Sequence, residues 1–248
     1  MHAEGKEVGL RRQEVILIVS ALDPSGGAGA VADVKTARAL GFYPCLAITA
    51  VTFQNTCEVS GVLRLELEAV RSQIGAVAED LKLSCVKVGA CARKEFLEGF
   101  DFECIVYDPV IRATVGGELT PVEECVRIAE ISSVITPNRD EAELMCRFLS
   151  IECGSGAEMA KALSRELGCS VIVTGRSDVV CDGGRVEVVE MEHSGVDVHG
   201  TGCVYSTALA CYLSKTDLFE AARLAREFVS RAAKNPLHVG KCRPVVNV

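Results

Sequence analysis

The run HGTGC at positions 199–203 stands directly before the apolar segment VYSTALACYL and could do chemistry on an anion. Consecutive small residues at the start of a helix expose several N–H groups in the positive end of the helix dipole, which forms an anion hole. Cys203 would lie in the first turn, where a thiolate is favoured and the thiol pKa is lowered. Such a base could take a proton from a hydroxyl while the hole stabilises a phosphoryl group in transfer. The alternative is a close-packed helix entry with Cys203 as a buried hydrophobe.

A second segment, DPSGGAG at 23–29, lies between the apolar run VILIVS and a stretch with helical apolar spacing. Its three glycines let the backbone approach a ligand closely and expose N–H groups. Asp23 could hold a ligand amine or hydroxyl. The segment is not a P-loop, because no Lys-Ser/Thr pair follows the glycines. The alternative is a glycine-rich turn in which Asp23 satisfies local amides.

Two further polar segments follow apolar runs. TFQNT at 52–56 has polar side chains, Gln54 among them, that suit the edge of a heterocycle, although an ordinary capping turn explains it equally well. In TPNRDE at 136–141, Asn138 and Glu141 are three apart and would project from one side of a first helical turn. Together they could hold a hydrated Mg²⁺. The same N-x-x-E spacing also matches a capping box.

Short β-branched runs alternate with amphipathic stretches and must position these motifs. We predict strands at residues 15–20, 45–51, 85–88, 104–107, 133–136 and 170–174. We predict helices at residues 28–40, 67–81, 93–98, 121–129, 141–149, 155–167, 204–213 and 218–234. A segment at 179–191, with its turn at 182–184, predicts an edge hairpin. Continuously apolar strands indicate a mostly parallel sheet covered by helices on both faces, with ligands bound beyond the carboxyl ends of the strands.

Composition limits the classes of protein to which the chain can belong. We expect one α/β domain over 1–248 with a flexible N-terminus at 1–12, because 49% of the 248 residues are hydrophobic. The net charge of −8 argues against binding to nucleic acid, which needs a basic face. No apolar run reaches the roughly 20 residues that cross a bilayer, so we expect no membrane association. The polar N-terminus predicts a cytoplasmic protein.

The chain has 13 cysteines, an odd number that cannot pair completely within one molecule. No C-x-x-C spacing occurs, so a structural zinc site is not expected. Most of these cysteines stand in apolar runs and are predicted to be small buried hydrophobes. One or two disulfide bonds remain open if the source is a hyperthermophile.

In this order, the motifs resemble the hydroxymethylpyrimidine/phosphomethylpyrimidine kinases of thiamine biosynthesis, within the ribokinase-like superfamily. The matching stretches are DPSGGAG with the following ADVKTARALG, AITAVTFQNT, VKVG, DPV at 108–110, TPNRDEAE and HGTGC. VGKCRPV at 239–245 is similar to a degraded form of the family's ending. The resemblance covers residues 15–245.

The resemblance implies a ribokinase-like three-layer sandwich, with a central, mostly parallel sheet between helices, that often assembles as a homodimer. It implies transfer of the ATP γ-phosphoryl group to the hydroxymethyl oxygen of the pyrimidine and then to its monophosphate, with ATP and Mg²⁺ required.

The family's roles carry over to matching positions. The resemblance implies substrate binding by Asp23, Gln54, Gly27 and Val110. It implies an anion hole at Gly200 and Gly202, with Cys203 in the catalytic-base position that many ribokinase relatives fill with Asp. Nucleotide binding falls to Asn138, Thr201, Thr174 and Arg176, and magnesium binding to Glu141 and Asp108.

Several positions depart from the family pattern. SALD at 20–23 lacks a glycine, and Ala90 stands where a substrate-facing methionine is common. Thr114 replaces a usual lysine, and Thr174 and Arg176 stand in a segment where the family has K-G-G-H. Two alternatives therefore stay open. One is a pyridoxal/pyridoxine-type kinase, since the superfamily also phosphorylates hydroxymethyl groups on pyridine rings. The other is a pyrimidine-binding sensor protein with weakened catalysis.

Overall fold

The computed structural model describes residues 13–113, 116–152, 154–190 and 198–248. Two predictions concern residues outside these ranges: the flexible segment at 1–12 and the substitution at Thr114. The end of the predicted hairpin at Met191 also lies outside them.

The described residues form one nine-stranded sheet in the order β3-β2-β1-β4-β5-β6-β7-β8-β9. Its strands are β1 Val15–Leu22, β2 Tyr43–Gln54, β3 Val59–Arg64, β4 Leu83–Val88, β5 Ile105–Tyr107, β6 Val134–Ile135, β7 Ser170–Val173, β8 Asp178–Asp182 and β9 Arg185–Val189. Pairing is parallel from β2 to β7 and antiparallel at both edges. The prediction of a mostly parallel sheet with an edge hairpin is confirmed over these residues.

Helices cover both faces of the sheet. They are α1 Gly29–Ala39, α2 Leu67–Asp80, α3 Lys94–Leu97, α4 Val122–Ala129, α5 Arg139–Phe148, α6 Gly156–Leu167, α7 Thr201–Leu213 and α8 Leu218–Lys234. Leu17 and Val19 of β1 face a core cluster that includes α2 to α6, whereas Ile16 faces a second cluster with α1, α7 and α8. The predicted three layers are therefore present.

β3 is the element that the sequence pattern missed. It pairs antiparallel with β2 at the edge of the sheet, and its residues are half-buried or exposed. An edge strand of this kind lacks the continuous apolar run that marks the central strands, so no burial pattern distinguishes it from a loop.

Within the described ranges, disulfide bonds join Cys57 to Cys242 and Cys85 to Cys104. Of the remaining described cysteines, all except Cys45 and Cys203 are buried, as predicted for small hydrophobes. The described residues thus contain disulfide bonds, which the sequence had left open.

The chain after α8 forms a strap over residues 237–246, here called the C-terminal strap. Its Cys242 is bonded to the turn after β2, and the N–H of Arg243 donates to the carbonyl of Thr56 (3.2 Å). The strap also pairs with the segment before α7, since the N–H of His199 donates to Pro244 O (2.9 Å). It therefore ties two of the sequence motifs together.

In the described part of the chain, no helix combines the length and apolar character that crossing a bilayer requires.

Candidate active site

Asp23 follows β1 directly and organises the first glycine loop. Its carboxylate accepts hydrogen bonds from the N–H groups of Ser25 (2.8 Å) and Ala28 (3.0 Å) and from the Ser25 hydroxyl (2.9 Å). The predicted alternative, a carboxylate that satisfies local amides, is therefore present. Burial alone would raise the pKa of Asp23, but the hydrogen bonds from His199 and Ser25 lower it. Asp23 also lines a cavity, so a local role does not exclude ligand contact.

Two side chains from distant segments, Gln54 and His199, meet Asp23 at this carboxylate. Gln54 Nε2 lies 3.3 Å from Asp23 Oδ2 and 3.2 Å from His199 Nε2. All three line the cavity. By contrast, Asn55 caps the following turn, because its Oδ1 accepts from the N–H groups of Cys57 (2.7 Å) and Glu58 (3.1 Å). The TFQNT segment thus contains both the predicted polar edge and the capping turn.

Gly27 does not lie on the cavity wall. A Cβ at this position would lie 2.6 Å from Val245 Cγ1 and 2.8 Å from His199 Cδ2. Its missing side chain therefore permits close packing of the first loop against the C-terminal strap. Val110, the other residue predicted beside the substrate, does line the cavity.

The entry of α7 presents bare backbone to the same cavity. Gly200 precedes the helix with a φ of +93°, and a Cβ there would clash with the carbonyl oxygen of Gly27. The first helical N–H groups have no partner within a helix. Among the described residues, none accepts from the N–H groups of 200–203, whereas Val204 N–H bonds to Gly200 O (3.0 Å). Residues 200–203, where the sequence predicts an anion hole, line the same cavity as the Asp23 cluster.

Cys203 lies in the first turn of α7, as predicted, but its predicted acidity is wrong for the free protein. Burial raises the pKa of the thiol to about 12, with Asp33 and Asp108 adding to the shift and Lys87 opposing it. Its Sγ accepts a hydrogen bond from the N–H of Gly29 (3.4 Å). The helix dipole thus does not compensate for the surrounding carboxylates and lost hydration.

A buried polar group lies beneath Cys203. Ser206 Oγ donates to Asp108 Oδ2 (3.1 Å), and Thr207 Oγ1 donates to Asp33 Oδ1 (2.8 Å). Lys87 Nζ forms an ion pair with Asp33 Oδ2 (2.9 Å), with both side chains fully buried. Burial alone would lower the pKa of Lys87, but the charges of Asp33 and Asp108 and the hydrogen bond to Asp33 raise it. Lys87 therefore carries its charge inside the fold.

Asn138 and Glu141 form the capping box of α5. Asn138 Oδ1 accepts from Glu141 N–H and Glu141 Oε2 accepts from Asn138 N–H, both at 2.9 Å. Both residues nevertheless line the cavity together with Asp108. Burial and the charge of Asp108 raise the pKa of Glu141 to about 8.

These carboxylates suit a hydrated cation. Burial also raises the pKa of Asp108, with the charge of Lys87 opposing the shift and that of Asp33 adding to it. Two buried carboxylates on one cavity wall repel each other, and a divalent cation would relieve that repulsion. The described residues contain no group of three or more metal-ligating side chains, so a cation here would take water or phosphate oxygens as further ligands.

The end of the cavity that is opposite the Asp23 cluster lies at β7. Thr174 lines it and lies beside Asn138, since Thr174 N–H donates to Pro137 O (2.8 Å). Arg176, predicted to bind the nucleotide, is exposed and does not line the cavity. Arg226 of α8 lines it instead, as does Arg112. Neither arginine was singled out from the sequence, because each stands in a stretch without a motif of its own.

The cavity has a volume of about 410 Å³ and follows the carboxyl edge of the sheet. Asp23 follows β1 and Thr174 follows β7, with β4, β5 and β6 between them. At roughly 4.8 Å per strand, the two ends lie about 19 Å apart. The α7 entry lines this cavity too, so one cavity holds the Asp23 cluster, the N–H groups at the start of α7 and the Arg226 side chain.

Solved structures share this fold. A pyridoxal kinase from Staphylococcus aureus superposes with a TM-score of 0.83 at 24% identity, covering 95% of this chain and 93% of that one. A phosphomethylpyrimidine kinase from Clostridium difficile superposes with a TM-score of 0.74 at 28% identity, covering 88% and 100%. The fold and cavity define a ribokinase-like kinase.

Sequence comparison identifies the family within that class. The family model described as phosphomethylpyrimidine kinase matches residues 23–247. A hydroxymethylpyrimidine/phosphomethylpyrimidine kinase from Aquifex aeolicus is 32% identical, over 92% of this chain and 97% of the relative. The chain belongs to the phosphomethylpyrimidine kinase family.

Proposed function

We propose that the protein transfers the γ-phosphoryl group of ATP to hydroxymethylpyrimidine and then to its monophosphate, as a step of thiamine biosynthesis. One observation carries the proposal: the Asp23–Gln54–His199 cluster, the bare entry of α7 and the basic end at β7 lie on one cavity. Along the cavity, these three features match in turn the pyrimidine ring, the phosphoryl group in transfer and the nucleotide.

The polar cluster binds the aminopyrimidine. The Asp23 carboxylate offers a hydrogen-bond acceptor, and the Gln54 amide offers both a donor and an acceptor. Together these groups suit the amino group of the ring and the ring nitrogen beside it. Asp23 stays ionised because its hydrogen bonds lower its pKa. The loop that Asp23 organises also carries Gly29, whose N–H contacts Cys203 Sγ at 3.4 Å. Ring binding and the catalytic thiol are therefore linked through one loop.

Charge stabilisation at the entry of α7 provides most of the catalysis. The free N–H groups of Gly200 and Gly202 stabilise the phosphoryl oxygens, and Thr201 lies between them on the wall. Phosphoryl transfer depends mainly on positioning and charge neutralisation. Cys203 serves as the base for the acceptor hydroxyl.

Asp108 and Glu141 hold Mg²⁺, and Asn138 and Thr174 contact the nucleotide. When bound, Mg²⁺ would supply positive charge that neutralises phosphate oxygens. It would also offset the carboxylate charges that add to the effect of burial in raising the pKa of Cys203. The two raised carboxylate pKa values support this assignment, because both side chains are buried beside like charge.

The comparisons favour a pyrimidine over a pyridoxal-type substrate. The family match and the 32% identical relative are pyrimidine kinases, whereas the S. aureus pyridoxal kinase matches at 24% identity. The sensor alternative requires a weak phosphate site. It loses support because the anion hole is open and Arg226 lies on the wall.

An ADP-release assay tests the proposal. The purified full chain is given ATP and Mg²⁺ with hydroxymethylpyrimidine, its monophosphate or pyridoxine. We expect turnover of both pyrimidines at a kcat/KM well above that for pyridoxine, and loss of turnover in Cys203→Ala. Preference for pyridoxine would favour the pyridoxal-type kinase. Pyrimidine binding without ATP turnover would favour the sensor.

We also propose a cytoplasmic homodimer. Large apolar side chains are exposed on β2 and β3 at the edge of the sheet: Tyr43, Leu46, Phe53 and Leu63. An apolar edge of this kind suits association with a second copy. Sedimentation of the purified chain, compared with a Leu63→Lys variant, tests the dimer. The proposed use of ATP as phosphoryl donor supports a cytoplasmic location for the protein. The disulfide bonds do not contradict this location, because such bonds persist in the cytoplasm of hyperthermophiles.

A further inference from the structure

Arg226 extends from α8 to the loop between β7 and β8. Its Nη2 donates to the carbonyls of Gly175 and Arg176, both at 2.8 Å, and its Nη1 lies 3.3 Å from Asp178 Oδ1. The Arg226 side chain is only 15% exposed, and Asp178 is fully buried. The guanidinium is thus held in one place.

These contacts leave part of the guanidinium unused. The group has five N–H donors, and its Nε donates to no described residue. Arg226 lines the cavity, whereas Asp178 does not. The wall beside Thr174 therefore includes Arg226 but not the carboxylate that pairs with it.

The charges on the cavity wall make this position unusual. Asp23, Asp108 and Glu141 are the acidic residues on the wall, and among described residues only Arg112 and Arg226 bring a permanent positive charge to it. Arg112 is exposed and follows β5, so Arg226 is the partly buried cation at the β7 end. A polyphosphate carries several negative charges and requires such a group.

We propose that Arg226 binds the phosphate groups of the nucleotide from the β7 side of the cavity. This inference deepens the proposed function and rests on it. It transfers to Arg226 the role that the sequence had given to Arg176, which lies outside the wall. A guanidinium already oriented by two carbonyls loses little freedom when it binds an anion.

Binding measurements separate phosphate contact from a purely structural role. Calorimetry of the full chain with ADP and with adenosine compares Arg226→Met, Arg226→Lys and Arg176→Met. Arg223→Met is the matched control, because Arg223 lies on the same helix and pairs with Glu220 and Glu227 at the surface. We expect Arg226→Met to weaken ADP binding at least about tenfold, the order of one charge-assisted hydrogen bond. Adenosine affinity should change less than about twofold, because adenosine has no phosphate to contact the guanidinium.

Arg226→Lys should retain part of the ADP affinity. Arg176→Met and Arg223→Met should retain nearly all of it. A parallel fall in ADP and adenosine affinity would mean that Arg226 only shapes the loop and would overturn the proposal. An effect of Arg176→Met as large as that of Arg226→Met would overturn it too. Arg226→Met alone leaves the buried Asp178 carboxylate without its ion-pair partner and could unfold the chain. The double variant Arg226→Met/Asp178→Asn removes that unpaired charge, so it tests whether ADP affinity is lost in a folded protein. These measurements need no pyrimidine, so a failure of the proposed acceptor is distinguishable from a failure of this inference.

Discussion

Nε2 of His199 lies 3.3 Å from Oδ2 of Asp23, although 176 positions separate the two residues in the chain. Both side chains are nearly inaccessible to solvent. The contact joins the loop after β1 to the entry of α7, and Gln54 completes it from β2. The imidazole therefore orients the carboxylate that the proposed function assigns to the pyrimidine.

Replacing His199 tests this orientation. We expect His199→Ala to raise the KM for hydroxymethylpyrimidine about tenfold, the scale of one lost hydrogen bond to a charged group. The KM for ATP should change little, because His199 lies at the β1 end of the cavity. Steady-state kinetics with each substrate varied in turn provides the measurement. Asn55→Ala, which removes only a turn cap, is the control. Equal increases in both KM values would contradict the assignment.

The two glycines of the anion hole should respond differently to a methyl group. Gly200→Ala places a Cβ against the carbonyl of Gly27 at a φ of +93°, so the loop must shift and we expect lost stability and activity. Gly202→Ala meets only Asp108 Oδ2 at 3.9 Å and should fold normally. Its methyl group narrows the hole, so kcat should fall at least about tenfold. Thermal unfolding and kcat, measured on both variants, check this contrast. An unchanged kcat in Gly202→Ala would argue against an anion hole.

Cys203 should be a slow nucleophile in the free protein. With a pKa of about 12, the thiol is almost entirely protonated at pH 8. Alkylation by iodoacetamide, followed on the Cys203 peptide by mass spectrometry, should be at least about thirtyfold slower than in the urea-unfolded chain at the same pH. The rate should still be rising at pH 10, because thiolate forms only as the pH approaches the pKa. A rate that levels off near pH 7 would mean that the thiol is acidic after all.

The buried pair of Lys87 and Asp33 should stabilise the fold only as a pair. Lys87→Met leaves the Asp33 carboxylate buried with Thr207 as its remaining strong partner, so we expect a loss of about 3–5 kcal/mol in the free energy of unfolding. The double variant Asp33→Leu/Lys87→Met removes both charges and should recover much of that loss. Urea unfolding provides both values. A double variant as unstable as the single one would show that the cost is steric.

The sequence predicted most of the central sheet because its strands are buried on both faces. β1 begins with the apolar run Val15–Val19, and β4 is apolar except for Ser84 and Lys87, which is typical of strands covered by helices on both faces. β3 was not predicted, because its residues are partly exposed and lack a continuous apolar run. The start of α7 was predicted at 204, whereas the helix begins at Thr201, because glycine has a poor helix propensity that the packing of this loop overrides.

The site was predictable where its residues stand in motifs. Asp23, Gln54, Asn138 and Cys203 line the cavity because each ends or follows a strand, or lies at the start of a helix, at the same edge of the sheet. Arg226 was not predictable, because it stands inside α8 like any surface arginine and only the packing of α8 brings it to the loop after β7. The raised pKa of Cys203 was not predictable either, because it results from burial and from the distant Asp33 and Asp108, whose approach no local pattern encodes.

The bond between Cys57 and Cys242 closes a covalent ring across 185 positions of the chain. A single proteolytic cut anywhere between these residues would leave two fragments that still migrate as one molecule until a reductant is added. The ring also keeps both ends of the cavity-forming chain tethered when the protein unfolds. A nicked molecule can therefore reassemble without a search for its missing part.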